Sequence, residues 1–225
     1  MKRERISVED YLRIPIDPAW KLEYIEGEVI RAPRHTLVPA KALVVRREYA
    51  SPCEIREVRV EDRPALIEVF KEAFTATIDF CDATPEYLYE VAVNCVHKTY
   101  SEDNRFAAAS RIAIDGDRLV GAALFVHGDH GPHLDALFVG PSWQRRGIAT
   151  AMFFSAMNSL LDVGESEVTS CYDIGNDKSA AWHEAVGFSE IPDEWVDRLR
   201  HQADKRSAIN RKRLEALETG ECITL

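Results

Sequence analysis

One stretch of this chain runs from an apolar strand directly into a helix, and it restricts the possible folds more than any other feature. The stretch is "FVGPSWQRRGIATAMFF", residues 138–154, and its strand ends at Gly140-Pro141. Small residues follow Gly147, and the apolar positions after them repeat at the spacing of one helical face. A strand joined to a helix by a short glycine-containing loop is a unit typical of α/β proteins.

The flanking segments extend this unit into a sheet. Two apolar runs about Asp115-Gly116 predict a β-hairpin upstream, and a strand and a short helix that ends at Gly187 follow downstream. Before the hairpin, "IREVRV" predicts a strand, and Asp62 with Pro64 predicts the start of a helix. This order predicts an α/β fold with a mixed, mainly antiparallel sheet and helices on its faces.

Composition narrows the functional classes. The 225 residues are 46% hydrophobic and carry a formal charge of −10, which argues against nucleic-acid or anionic-membrane partners. The five cysteines are scattered and contain no CxxC pair, so we expect reduced thiols and no zinc knuckle. The amino terminus lacks the apolar core of a signal peptide, and no window predicts a membrane span. These features predict a cytoplasmic protein.

The loop before the helix that follows Gly147 predicts an anion site. The first backbone N–H groups of a helix have no intrahelical acceptor, and the helix dipole adds positive charge there. Gly147 and Ala149 would let a phosphate approach the backbone closely. Four side chains could add contacts: Gln144, Arg145, Arg146 and Thr150. The alternative is a glycine used for helix packing beside two solvated arginines.

Two motifs resemble those of the GNAT superfamily of acetyl-CoA-dependent N-acyltransferases. "VGPSWQRRGIA" is similar to its pyrophosphate motif, Q/R-x-x-G-x-G/A, at Gln144, Gly147 and Ala149. "NDKSAAWHEAVGF" is similar to its second signature, and the matching positions are Asn176, Ser179, Gly187 and Phe188. With the opening strand and helix, the resemblance covers about residues 53–190. It implies a GNAT-type sheet with splayed central strands and acetyl-CoA as cosubstrate.

The resemblance also implies where acetyl-CoA binds. The backbone at Leu137, Phe138 and Val139 would pair with the pantetheine arm, and the amide near Phe138 would stabilise the oxyanion. The pyrophosphate would lie against Gln144, Arg145, Arg146, Gly147, Ile148, Ala149 and Thr150. Asn176 and Ser179 would contact the pantetheine or pyrophosphate side.

Three residues are candidates for proton transfer. The strand "HLDALFV" resembles "HLHALAV" of arylalkylamine N-acetyltransferases, with Asp135 in place of the second histidine. His133 and Asp135 alternate along the strand and so share a face, where either could accept a proton from the amine. His183 stands where many relatives have a tyrosine that protonates the thiolate. The alternatives are a backbone-bonded histidine at 133 and a helix-surface imidazole at 183.

The chain divides into three parts. Residues 1–50 predict an N-terminal helix and hairpin, residues 51–190 the GNAT domain, and residues 191–225 a C-terminal helix and tail that pack on it. Residues 11–34 resemble the start of the Uma family of endonuclease-like proteins, although the later residues of a nuclease site have no counterpart. The spaced histidines of "HGDHGPH" lie in a glycine-rich loop, so we expect no metal.

These features predict an N-acetyltransferase that transfers acetyl directly to a primary amine within a ternary complex. No cysteine stands at a convincing nucleophile position. The alternative is a non-catalytic acyl-CoA-binding sensor or regulator. A small-molecule amine and a protein amino terminus both remain open as acceptor, as does a homodimer.

Overall fold

The computed structural model describes residues 2–75 and 77–219. The ten strands are β1 (Lys2–Arg5), β2 (Trp20–Ile25), β3 (Glu28–Pro33), β4 (Leu37–Leu43), β5 (Glu54–Glu57), β6 (Arg111–Asp115), β7 (Arg118–Gly128), β8 (Gly131–Val139), β9 (Glu167–Asp173) and β10 (Ser189–Glu190). The six α-helices are α1 (Val8–Arg13), α2 (Arg63–Phe74), α3 (Pro85–Thr99), α4 (Ile148–Asp162), α5 (Asp177–Val186) and α6 (Glu194–Thr219). The C-terminal tail of the sequence prediction, with Cys222, lies outside these residues.

The main sheet has seven strands in the order β10-β4-β9-β8-β7-β6-β5. Every neighbouring pair is antiparallel except β8 and β9, which run parallel. The hairpin at Asp115-Gly116 is confirmed, because Asp115 pairs with Arg118 across a two-residue connection. The predicted mixed, mainly antiparallel sheet with flanking helices is therefore confirmed.

Apolar side chains on both faces of the sheet pack against helices. On one face, Phe125 and Leu134 of the central strands pack against Phe153 and neighbouring residues of α4. On the other face, Phe138 packs against Phe70 of α2, with a distance of 5.3 Å between ring centroids. Strands covered on both faces need such continuous apolar runs, which explains the composition of β7 and β8.

The two central strands pair over a short length and then separate. β8 and β9 are paired only at His133 with Thr169 and at Leu134 with Ser170, while β8 continues to Val139. On the other side of β8, the register against β7 shifts at Asp135, which is the extra residue of a β-bulge. The result is a gap between two splayed strands that opens toward the start of α4.

The N-terminal residues form a second, smaller sheet. Its strand order is β1-β3-β2, and its apolar side chains pack with α1 and with the end of α6: Tyr11, Leu12, Leu22, Val29, Leu214 and Leu217. The sequence-based boundary near residue 50 falls after β4, whereas the structure places β4 inside the main sheet, between β9 and β10. Within the described residues, none of the helices has the length and apolarity that a bilayer crossing requires.

Candidate active site

The gap between β8 and β9 opens into a cleft of about 1570 Å³. Fourteen of the fifteen residues that the sequence assigned to a site line this cleft: His133, Asp135, Leu137, Phe138, Val139, Gln144, Arg145, Gly147, Ile148, Ala149, Thr150, Asn176, Ser179 and His183. The exception is Arg146, whose guanidinium donates to the backbone oxygen of Ser142 at 2.8 Å and does not reach the cleft wall. The predicted phosphate contact of the Arg146 side chain therefore has no support in the geometry.

The loop between β8 and α4 presents backbone N–H groups to the cleft. Arg145 and Gly147 both have positive φ, 65° and 79°, so the chain folds back on itself before the helix. In the described chain, the backbone N–H groups of residues 145–150 have no hydrogen-bond acceptor within the protein. The first backbone N–H after them that is hydrogen-bonded is that of Ala151, which donates to Gly147 O at 2.9 Å. A Cβ built at Gly147 would meet no atom within 4 Å. The loop is therefore a cradle open to an anion.

Two side chains of the predicted phosphate site instead support the cradle. Gln144 Nε2 donates to Val139 O at 3.0 Å, which ties the loop to the end of β8. Trp182 Nε1 donates to Thr150 Oγ1 at 3.2 Å, which ties α4 to α5. Both bonds hold backbone donors in place and so pre-organise them for a ligand.

The exposed edge of β8 supplies further N–H donors. Gly140 N–H bonds Val120 O of β7 at 2.8 Å, and successive amides of a strand point to opposite sides. The amides of Leu137 and Val139 therefore point away from β7, into the gap. The amide of Phe138 points to β7, so the donors that meet a ligand come from its two neighbours.

His133 has the geometry of a proton acceptor. Its Nδ1 lies 2.9 Å from Thr169 Oγ1, and that hydroxyl is oriented to donate to Pro132 O at 3.4 Å. Nδ1 therefore carries the proton of the neutral ring, and Nε2 is left as an acceptor. Burial lowers the pKa of His133 below its ordinary value of 6.5, against the opposing effect of the Asp135 charge.

Asp135 is held on the α3 side of the cleft. Its carboxylate accepts from Cys95 Sγ at 3.4 Å and lies 3.5 Å from Lys98 Nζ. Burial, followed by the Asp135 charge, raises the pKa of the Cys95 thiol, so this cysteine stays protonated. Both residues line the cleft, and among the described residues no hydrogen bond joins Asp135 to His133.

His183 is buried, with 5% of its surface exposed, so the interpretation as a helix-surface imidazole is wrong. Nδ1 donates to Ser179 O at 2.8 Å, and Nε2 lies 3.0 Å from Ser170 Oγ. Burial lowers the pKa of His183, which favours the neutral ring. Ser170 precedes the splayed part of β9, so this network fixes the strand where the gap begins.

Asn176 contributes mainly to local structure. Its Oδ1 accepts from Ser179 N–H at 3.0 Å and so caps α5, and its Nδ2 donates to Asp79 Oδ2 at 3.0 Å. The cap leaves the remaining N–H groups of the first turn of α5 directed at the cleft. The side-chain contacts that the sequence assigned to Asn176 and Ser179 are thus partly taken by protein partners.

Sequence analysis missed one wall of the cleft. This wall, here called the acidic wall, consists of His35, Asp79, Asp82 and Asp173. His35 Nε2 lies 2.9 Å from Asp82 Oδ1, and His35 Nδ1 lies 3.9 Å from Asp173 Oδ2. The residues come from the segment before β4, the α2–α3 connection and the end of β9, so no local pattern joins them. Within residues 2–75 and 77–219, no His, Cys, Asp and Glu group has the arrangement of a metal site.

Comparisons with known proteins agree with this geometry. The sequence profile of the Acetyltransferase (GNAT) family matches residues 64–188, more than half of the chain, and a search of curated proteins finds no match. The resemblance of residues 11–34 to the Uma family is not supported by either comparison.

Solved structures share the fold at low identity. A GCN5-related N-acetyltransferase from Sphaerobacter thermophilus is 18% identical, with a TM-score of 0.51 over 69% of this chain and 48% of that one, so the match spans about half of that enzyme. The PaiA N-acetyltransferase from Thermoplasma acidophilum, solved with coenzyme A, is 21% identical, with a TM-score of 0.51 over 63% and 92%. A protein of unknown function from Staphylococcus epidermidis is 15% identical, with a TM-score of 0.51 over 69% and 57%. By its family profile and its fold, the chain belongs to the GNAT family of acetyltransferases.

Proposed function

We propose that this protein transfers an acetyl group from acetyl-CoA to a primary amine, directly and within a complex that contains both. The observation that carries the proposal is the cradle of unbonded N–H groups at residues 145–150, which opens into the gap between two splayed strands. The coenzyme A complex of the PaiA enzyme supports a CoA ligand for such a cleft. Bound acetyl-CoA would supply the acetyl thioester.

The residues of the cleft fit that ligand. The cradle would hold the pyrophosphate through backbone donors, with Arg145 as the nearby cation. The amides of Leu137 and Val139 would pair with the pantetheine arm and stabilise the negative charge that develops on the thioester oxygen. Since both amides are fixed in β8, they need little reorganisation during the reaction.

We assign acceptance of the amine proton to His133 Nε2, directly or through one water. A base must be unprotonated at the working pH, and burial keeps the His133 ring neutral near pH 7. Asp135 accepts a hydrogen bond from Cys95 and lies close to Lys98. Its negative charge raises the pKa of His133 and so partly offsets the effect of burial. We propose that it positions the acceptor and tunes the base.

His183 presents no free N–H to the cleft, because both ring nitrogens have protein partners. We therefore propose a positioning role for His183, through Ser170, and leave its role as proton donor to the thiolate as a prediction. This observation also keeps the second candidate function open, an acyl-CoA-binding regulator without turnover.

The redox state of the cysteines is relevant to the cellular compartment of the protein. Cys53, Cys81, Cys95 and Cys171 are all free thiols in the described chain. Free thiols of this kind are typical of reducing compartments, so they support our proposal of a cytoplasmic enzyme.

Calorimetric titration with acetyl-CoA, run beside free CoA, tests the proposal first. Binding of both ligands, followed by thiol release when amines are added, would establish the transferase. Binding without thiol release across a broad amine panel would favour the regulator. If neither ligand binds, the cradle is not a CoA site and the proposed function fails.

A further inference from the structure

The acidic wall carries a negative charge that the protein barely neutralises. Asp79, Asp82 and Asp173 all line the cleft, and in the described residues no lysine or arginine lies within salt-bridge distance of any of them. The imidazole of His35 is the basic partner of Asp82 and Asp173, whereas Asp79 accepts from Asn176 Nδ2. Burial raises the pKa of Asp173, and the nearby Asp79 charge adds to that rise.

One carboxylate oxygen of this wall has no donor although its side chain is 4% exposed. Asp173 Oδ1 accepts from Gly175 N–H at 2.9 Å, whereas for Oδ2 no hydrogen-bond donor is found in the described chain. Asp173 Oδ2 is not among the fully enclosed unpaired atoms, so it is open to the cleft, where a ligand or water can supply the missing donor. The position of Asp173 in the cleft wall points to a ligand.

The facing group also lacks a donor. His35 Nε2 donates to Asp82 Oδ1 at 2.9 Å, and His35 Nδ1 lies 3.9 Å from Asp173 Oδ2, beyond hydrogen-bond distance, so Nδ1 is available as an acceptor of a donor placed between them. One nitrogen that carries two hydrogens, placed about 2.8 Å from both Asp173 Oδ2 and His35 Nδ1, would donate a hydrogen bond to each of them. An ammonium group has the charge and the number of hydrogens for this place.

The wall stands at a defined height above the proposed base. The pairing of His133 with Thr169 sets the level of the proposed base, and Asp173 is four residues further along β9. Four strand residues rise roughly 13 Å. Hydrogen bonds of about 2.8 Å at the two ends leave roughly 7 Å between the two nitrogens, which an extended chain of about four to six carbons spans.

The two ends of this path differ in charge. Near His133, the Asp135 carboxylate is matched by Lys98, so this end suits an amine that must become neutral to react. At the other end, two of the three carboxylates lie beside one imidazole and the third has no basic partner, which suits a group that stays charged.

We propose that the acceptor is an aliphatic diamine, with one amine at His133 and the second, as an ammonium group, between Asp173 Oδ2 and His35 Nδ1. This inference rests on the proposed function and adds the substrate class. The N-terminal segment, through His35, thereby takes part in acceptor specificity.

The test compares α,ω-diamines of three to eight carbons with monoamines of the same length, by thiol release at saturating acetyl-CoA. A charge-assisted contact predicts that the best diamine exceeds its matched monoamine in kcat/KM by roughly 10- to 100-fold. The optimum should fall at about four to six carbons. Calorimetry with the best diamine and free CoA gives binding without turnover.

Variants of the two contact residues locate the second ammonium group. Asp173→Asn keeps the acceptor for Gly175 N–H but removes the charge, and should lower diamine kcat/KM about 10-fold while monoamine kcat/KM stays the same. His35→Asn tolerates the positive φ of 49° at that position and should weaken diamine binding as well. Asp117→Asn removes an exposed charge outside the cleft and is the matched control.

The outcomes separate the two proposals. If acetyl-CoA binds but diamines and monoamines react equally, or if Asp173→Asn affects both alike, the diamine inference fails and the transferase stands. If acetyl-CoA does not bind, both fail. The diamine inference would also be overturned if a divalent cation bound more tightly than the diamine and displaced it.

Discussion

Gly147 illustrates how one residue sets the cofactor side of the cleft. Its φ of 79° belongs to the left-handed region, and the direction in which a side chain would point is empty. That empty space lies beside the unbonded N–H groups of residues 145–150. A side chain here would therefore occupy the place proposed for the pyrophosphate.

We expect Gly147→Glu to lower acetyl-CoA affinity by roughly 100-fold or more, since a carboxylate would add repulsion to steric exclusion. Calorimetry would measure the loss. Gly116→Glu is the matched control, because Gly116 also has positive φ (65°) and open space but lies in a hairpin away from the cleft. Equal affinity in both variants would place the phosphate elsewhere.

The pKa of His133 predicts the acid limb of the pH profile. A base works only when deprotonated, and burial lowers this pKa below 6.5, so kcat/KM should be constant near pH 7 and fall only at a pH below 6.5. His133→Gln should reduce kcat by roughly 10²- to 10⁴-fold with acetyl-CoA affinity unchanged. His130→Gln, at an exposed position in the turn just before β8, should behave as the wild type. If kcat/KM of the wild type already falls at a pH above 7, His133 is not the base.

The two sides of the cleft differ in how far the sequence predicts their residues. The cofactor side is encoded in a contiguous motif, so Gln144, Gly147 and Ala149 can be identified from the sequence alone. The acceptor side depends on tertiary contacts, which bring Lys98 to Asp135 and His35 to Asp173. No spacing rule relates such positions, and the motif does not give the direction of a side chain such as that of Arg146, which donates to Ser142 O.

Strand β4 is the element whose place the sequence did not reveal. It precedes the matched family region, yet it pairs with β9 over seven residues and buries alternate side chains in the main core. Helices and hairpins were predictable because their signals are local, such as the Thr84 cap of α3 and the turn at Asp115-Gly116. Strand order depends on distant partners, and Pro39 obscured the pattern of β4.

A charge on the buried face of β4 should destabilise the acetyltransferase region. Val38 pairs with Tyr172 of β9 and is 1% exposed, so Val38→Asp would bury an unpaired carboxylate and lower the free energy of unfolding by about 3 kcal/mol or more. Leu43→Asp, at the end of the same strand and 66% exposed, should change it by less than about 0.5 kcal/mol. Urea unfolding followed by fluorescence compares them. Equal free energies of unfolding for Val38→Asp and Leu43→Asp would show that β4 does not contribute to the stability of the main sheet.

On the scale of the whole molecule, the N-terminal segment meets the cleft at Gly175. A Cβ built there would lie 2.5 Å from Ala19 Cβ and 2.5 Å from Ile78 Cδ1, so three distant parts of the chain converge within contact distance. This junction stands next to Asp173 and Asn176 and therefore supports both the acidic wall and the start of α5.

We expect Gly175→Ala to destabilise the protein by about 1–3 kcal/mol through overpacking. Ala19→Gly should restore part of that loss, because it removes one of the two atoms that clash, whereas Ile78 can shift its flexible end. A double-mutant cycle in the unfolding free energy measures the coupling. Additive effects would mean that Ala19 does not pack against Gly175 in solution.

The position of β4 in the sheet also has a consequence for synthesis. Its partner β9 lies roughly 120 residues later in the chain, so at about 5–20 residues per second the ribosome needs on the order of 10 s to deliver it. During that interval the buried face of β4 has no partner, while the hairpin of β2 and β3 can already form from local contacts. The nascent chain therefore exposes an apolar strand until translation is nearly complete, and its yield in cells should depend on the chaperones that protect such strands.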